Sequence, residues 1–139
     1  MRPNVVVDTG PIIALLDRDE AHHGWAVSRF EELQPPLLTC EAVLTEASYL
    51  LARVGARPSV VVDLVTRGML TVLNVLENDA EVVSRLMRRY ANVPMSLADA
   101  CLVRITELTM NAAVLTLDSD FRVYRQKGRR LIPVISPES

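Results

Sequence analysis

Asn4-Val5-Val6-Val7-Asp8-Thr9-Gly10-Pro11 is the stretch whose reading decides the fold. A short β-branched run that ends in an acid reads as a buried strand running out to its edge. Thr9-Gly10-Pro11 then turns the chain. Pro11 has its φ already set and no N–H to lose, so it suits the first position of a helix reaching about Leu16.

The same alternation continues outward from this unit. His22 to Leu33 reads as a second helix, with Trp25, Val27, Phe30 and Leu33 as apolar contacts and Pro35-Pro36 ending it. Leu37-Leu38-Thr39 is a short apolar strand. From Glu41 to Val54, Val43, Ala47, Leu50, Leu51 and Val54 recur at spacings of three and four, which is a helical stripe, and Gly55 closes it. Ser59 is placed to cap a helix over Val60 to Gly68, and Leu70 to Leu76 reads as a strand. Asn78, with Glu81 three residues on, opens a helix to about Tyr90. Ser96 caps a helix from Leu97 to about Leu108, and Ala113 to Thr116 is a strand followed by the turn Asp118-Ser119-Asp120. Leu131 to Ile135 reads as an edge strand, because Pro133 cannot donate to a ladder. Strands alternating with helices predict an α/β protein. The arrangement expected is a three-layer α/β/α sandwich around a central, mostly parallel sheet, with one domain over residues 1–139.

Composition agrees. The chain has 139 residues, half of them apolar and 23% charged, which suits a globular protein with a core and excludes intrinsic disorder. The most apolar stretches are broken by Asp8, Asp63 and Arg67, short of the ~20 unbroken residues a membrane span needs. Asp8 also interrupts any leader-peptide core. Cys40 and Cys101 are too few for a disulfide scaffold and read as small buried residues in a reducing cytoplasm. The net charge of −2 names no partner, but its distribution is uneven. Residues 1–81 hold 12 acids and 6 bases, and residues 82–139 hold 5 acids and 9 bases. Lys127 is the lone lysine among 15 basic side chains, and arginine favours bidentate contact with phosphate.

In parallel α/β sheets, sites form beyond the carboxyl ends of the strands. Asp8 ends the first strand and Asp118 follows the Ala113–Thr116 strand, so both belong to one sheet edge. Each acid of interest also has a local use. Asp8 can cap the helix after it. Glu46 borders the apolar stripe of its helix, and a pairing with Arg53 would account for it. Ser96-Leu97-Ala98-Asp99 is a capping-box pattern, although Ala98 and Ala100 leave room for another acid or a metal. Asp118-Ser119-Asp120 is ordinary turn chemistry. Taken together, the fold expected here can bring these places to one spot. Like charges repel, so a fold gathers carboxylates where a cation neutralises them. Hard oxygens without His or Cys support predict Mg2+ or Mn2+, the equipment of phosphodiester hydrolysis. The adjacent His22 and His23 point about 100° apart on a helix and read as helix-start and packing residues.

These residues resemble the PIN-domain nucleases, in particular the toxin ribonucleases of VapC type. The resemblance covers essentially the whole chain. It is carried by Val5-Val6-Val7-Asp8-Thr9-Gly10-Pro11, Leu44-Thr45-Glu46-Ala47, Leu97-Ala98-Asp99-Ala100 and Leu115-Thr116-Leu117-Asp118-Ser119-Asp120-Phe121, in that order. It implies Mg2+-dependent endonuclease activity on RNA, with Mn2+ able to substitute. Asp8, Glu46, Asp99 and Asp118 are then the acidic constellation. Asp8 and Asp99 bind the metal directly. Asp118 completes its shell, and Glu46 holds a second metal or works on the attacking water. Thr9 and Thr116 support the site, and Asp120 is an alternative to Asp118. Arg122, Arg125, Lys127, Arg129 and Arg130, with Arg85, Arg88 and Arg89, are candidates to hold the RNA backbone, and aromatic residues are too few for a base-stacking platform. The resemblance further implies a homodimer and a cognate antitoxin protein, with no membrane partner. Three other readings compete. The first is a PIN nuclease of RNA processing without an antitoxin. A silent RNA-binding module would require the loss of an acid, and all four are present. A response-regulator-like pocket needs a late lysine that Lys127, in a basic turn, does not supply.

Overall fold

The computed structural model describes residues 2–137. In chain order its elements are β1 (Asn4–Val7), α1 (Thr9–Leu16), α2 (His23–Glu32), β2 (Leu37–Thr39), α3 (Glu41–Arg53), α4 (Ser59–Thr66), β3 (Leu70–Val72), α5 (Ala80–Arg89), α6 (Leu97–Leu108), β4 (Ala112–Leu115), a 3-10 turn (Ser119–Arg122), β5 (Arg125–Gln126), β6 (Arg130–Leu131) and β7 (Val134–Ile135). Five strands form one sheet in the order β3-β2-β1-β4-β7, every neighbouring pair parallel, and the six helices flank it. Val5, Val6 and Val7 are all buried, as are all four residues of β4. A central parallel strand is covered on both faces, so its sequence runs apolar without alternation.

The strand order creates the site. From β1 the chain moves outward to β2 and β3, then crosses back to lay β4 on the other side of β1. Such a reversal opens a crevice at the carboxyl ends of the two central strands. Val7 is in register with Leu115, and the Asp8 amide donates to the Leu115 carbonyl at 3.0 Å. Asp8 and Thr116 therefore emerge side by side.

Two helices supply the rest of the wall. In α6, Ala98, Ala100, Cys101, Leu102, Val103, Ile105 and Thr106 are buried, so the helix is enclosed on most of its circumference. One hydrophobic cluster joins it to β1, β4 and α3 through Val6, Val114, Val43 and Leu51. In α3 the buried stripe is Val43, Ala47 and Leu51, while Leu50 and Val54 are exposed, so the stripe is narrower than its sequence spacing predicts.

Other boundaries also shift. The first helix begins at Thr9, two residues before Pro11, because Asp8 is its cap. Ser59 is the first residue of α4 and not its cap. The cap position of α5 belongs to Asp79, which makes no capping bond and instead pairs with Arg104 at 3.0 Å. The strand expected to Leu76 ends at Val72. The single strand expected over Leu131 to Ile135 divides in two. Arg130–Leu131 folds back antiparallel on Arg125–Gln126, and Val134–Ile135 joins the sheet edge beside β4. Lys127 and Gly128 both have positive φ, +50° and +82°, which is the backbone of a tight hairpin turn.

Candidate active site

Each acid's local use is real. Asp8 caps α1, with Oδ1 accepting from the Thr9 amide at 2.8 Å and Oδ2 accepting from the Thr116 hydroxyl at 2.8 Å. Asp99 completes the capping box of α6: its amide donates to Ser96 Oγ at 3.0 Å, and the Ser96 amide donates to Asp99 Oδ2 at 3.2 Å. Asp118 Oδ1 accepts from the Asp120 amide at 2.9 Å, starting the 3-10 turn. These bonds do not scatter the acids. One carboxylate oxygen each from Asp8, Asp99 and Asp118 lie within 4.8 Å of one another. Asp8 is the floor of the cluster at 7% exposed, Asp99 is half-buried and Asp118 is open to solvent.

Thr116 ties the cluster together. It is fully buried, and while donating to Asp8 its hydroxyl also accepts from the Asp118 amide at 2.9 Å. Thr116→Val keeps the shape and removes both bonds, leaving a buried carboxylate oxygen and an amide unpaired. Such losses cost about 1–3 kcal/mol. The variant is expected to show a lower urea midpoint at neutral pH with an unchanged denaturant slope.

The electrostatics record the crowding. Burial pushes the Asp8 carboxyl up to about 6, against the Thr9 and Thr116 hydrogen bonds, and the charges of Asp99 and Asp118 add to the rise. Burial also raises Asp99, opposed by its bonds to Ser96 and Tyr124, with the charge of Asp118 adding. Burial and the Asp99 charge push the Tyr124 phenol up, so it stays a hydrogen-bond donor. Among the described residues no basic side chain forms an ion pair with any of the three acids.

Glu46 stands apart. It is exposed on α3, where the sequence places it against the apolar stripe, and it makes no pair with Arg53, whose guanidinium lies over the Tyr49 ring at 5.8 Å. Its carboxylate is outside the three-acid group, but it lines the same cleft, of about 410 Å³, with Asp8, Asp99 and Asp118. Thr9 lines it too, and its buried Oγ1 has no hydrogen-bond partner among the described residues. A Cβ on Gly10 would come within 3.2 Å of the Leu117 side chain, so glycine lets α1 and the chain after β4 approach this closely. Asp120 is half-buried and belongs to neither the acid group nor the cleft lining.

The basic residues do not form one surface. Arg125 folds its guanidinium back onto the carbonyls of Arg122, Val123 and Tyr124, Arg122 bonds Ser136, Arg88 bonds Ser84, and Arg89 bonds the Gly128 carbonyl. Arg85, Arg89 and Lys127 line a recess between α5, α6 and the hairpin, while Arg129 and Arg130 are exposed on the hairpin. His23 Nδ1 lies 2.7 Å from the Ala14 carbonyl and joins α2 to α1, whereas His22 lines a small recess with Asp118, Ser119 and Arg122.

Sequence reasoning missed Tyr124, whose hydroxyl donates to Asp99 Oδ2 at 3.1 Å. It stands in an arginine-rich segment that reads as charge. The available signal is that a buried phenol must find a partner.

The PIN domain family model matches residues 5–127, a span that holds all of these acids. Among curated proteins none matches the chain. Among solved structures, the chain is similar to the crystal structure of Mycobacterium tuberculosis VapC20, a sarcin–ricin loop cleaving toxin. The TM-score is 0.71 at 25% sequence identity, over 91% of this chain and 98% of that one. With a family model spanning most of its length and a fold shared nearly end to end with a VapC toxin, the chain belongs to the PIN domain family.

Proposed function

We propose that this protein is a Mg2+-dependent endoribonuclease, the toxin of a type II toxin–antitoxin pair, working in the cytoplasm as a homodimer restrained by a cognate antitoxin. The observation that carries the catalytic part is the convergence of Asp8, Asp99 and Asp118 within 4.8 Å at the carboxyl edge of the sheet. No helix among the described residues is long and apolar enough to cross a membrane.

The residues present fit a hard divalent cation. Every nearby ligand atom is an oxygen, the buried Thr9 Oγ1 is unpartnered, and burial with two neighbouring acids raises the Asp8 carboxyl, a cost that a cation would offset. Asp8 and Asp99 would hold the ion directly, and Asp118 would complete its shell, partly through water. Glu46, on the cleft wall and outside the cluster, is suited to position the attacking water and take its proton. When bound, Mg2+ supplies positive charge that offsets the charge growing on the phosphate oxygens in the transition state. Thr116 fixes the distance between Asp8 and the Asp118 turn.

RNA as substrate and an antitoxin as partner are supported by the likeness to VapC20, a toxin that cleaves the sarcin–ricin loop. The sarcin–ricin loop is therefore the first substrate to try. The test is to incubate the purified protein with total RNA, with and without Mg2+, and map the new ends. Discrete Mg2+-dependent cuts are expected, and intact RNA throughout would refute the reading.

The exposed Arg129 and Arg130 are expected to touch phosphate. Each such contact lowers the slope of log affinity against log salt by roughly 0.7–0.9. The double variant Arg129→Ala/Arg130→Ala should therefore lose about 1.5 from that slope in an RNA-binding titration.

A further inference from the structure

We infer that Tyr124 is a positioning residue for Asp99: its hydroxyl occupies one carboxylate oxygen and leaves the other as the single oxygen that Asp99 offers to a divalent cation. This inference rests on the metal-dependent reading above and adds to it a residue 25 positions farther along the chain.

The argument begins with the ring. Tyr124 is fully buried, held edge-on by Tyr90 at a centroid distance of 5.1 Å and by Phe121 at 5.3 Å. Edge-to-face pairs of this kind are a preferred aromatic geometry, so the ring has little freedom to turn away. Its backbone is stapled to the neighbouring helices. The Arg125 amide donates to the Tyr90 hydroxyl at 2.9 Å, and the Lys127 amide donates to Glu107 Oε2 on α6 at 2.6 Å. The phenolic hydroxyl is thus fixed relative to α6, the helix that carries Asp99.

The second step concerns the carboxylate. An ionised Asp offers two oxygens and about four lone-pair sites. The Ser96 amide and the Tyr124 hydroxyl both donate to Oδ2 of this carboxylate. Oδ1 receives no hydrogen bond among the described residues, while Asp99 as a whole lines the acid cleft. Mg2+ demands near-ideal octahedral geometry and keeps much of its water, so it is served best by one oxygen in a fixed direction. Without the phenol, Ser96 alone would have to stop the carboxylate from turning about its last bond.

A merely structural hydroxyl would matter to folding and not to the ion. Binding of Mn2+ to the intact protein, followed by calorimetry or by the loss of its free-ion spin signal, separates the two. Tyr124→Phe keeps the ring and removes the hydroxyl. Partners of metal-ligating groups typically matter 10–100-fold in affinity, so Mn2+ affinity should fall by about tenfold or more. The metal-free melting temperature should change little. Tyr90→Phe removes the hydroxyl that holds the Arg125 amide but leaves the Tyr124–Asp99 bond in place, and should weaken Mn2+ binding clearly less than Tyr124→Phe does. Undiminished Mn2+ affinity in Tyr124→Phe, or equal weakening in both variants, would overturn the positioning role. A wild-type protein that binds no Mn2+ would instead overturn the metal-dependent reading itself.

Discussion

Replacing Asp8 by asparagine is expected to cut RNA cleavage by about a thousandfold or more and, at the same time, to make the metal-free protein harder to unfold at neutral pH. The first effect follows from charge. Asp8 is the buried floor of the acid group, and removing a group central to transition-state electrostatics costs on the order of 10²–10³ or more in rate. The second follows from the same burial. The Asp8 carboxyl sits at about 6 in the folded chain against an ordinary 3.8, so its ionised form is held at a cost. A shift of that size corresponds to about 3 kcal/mol. Asparagine keeps an oxygen for the Thr9 amide and places an amide group against the Thr116 hydroxyl, so the local bonds survive in altered form. The check is cleavage rate and urea midpoint measured on one preparation. A variant that folds normally and still cleaves within tenfold of wild type removes Asp8 from the site.

Chelation should have the other large effect. EDTA is expected to stop cleavage, and Mg2+ or Mn2+ to restore it. The same ion should also change how stability depends on pH. The folded carboxyl of Asp8 keeps its proton up to about pH 6, whereas the unfolded chain releases it near 3.8. The folded state binds more protons in that window, so in EDTA this group's stabilisation is fully present below about pH 4 and lost as pH rises through 6. Asp99 shifts in the same direction. Saturating Mg2+ should replace the missing proton at pH 7.5 and do much less at pH 4, where Asp8 already carries its proton. Unfolding midpoints across this range, for wild type and Asp8→Asn in parallel, read the difference directly. Cleavage that ignores chelation, or a wild-type curve that matches the variant at every pH, would sink the account.

Much of this site can be read along the chain because its parts are local. Val5-Val6-Val7 running apolar into Asp8 announces a central parallel strand, since burial on both faces abolishes alternation. Ser96 and Asp99 announce a helix start, because the capping box closes within four residues. Those local bonds are all present, and they do not prevent the acids from converging. Asp8, Asp99 and Asp118 each keep a capping or turn bond and still contribute an oxygen to the cluster.

Where pattern reading faltered, the deciding forces lay between elements. Glu46 falls among apolar neighbours in sequence, yet the buried stripe of α3 is only as wide as its neighbouring elements cover, and that leaves the residue on the cleft wall. The arginine-rich segment reads as uniform charge, yet Lys127-Gly128 turns it into a hairpin that directs Arg125 inward and leaves Arg129 and Arg130 outside.

What the chain alone determined, then, was the set of elements and the identity of the acids, because periodicity, capping and turn chemistry act over a few residues. Which acids meet, at what depth, and with which phenol beside them was decided by the tertiary structure. Strand order put β1 against β4, and the packing of α6 with the segment after the 3-10 turn brought the Tyr124 hydroxyl to Asp99. Those choices depend on burying one shared core from distant parts of the chain, and no short window of sequence contains that balance.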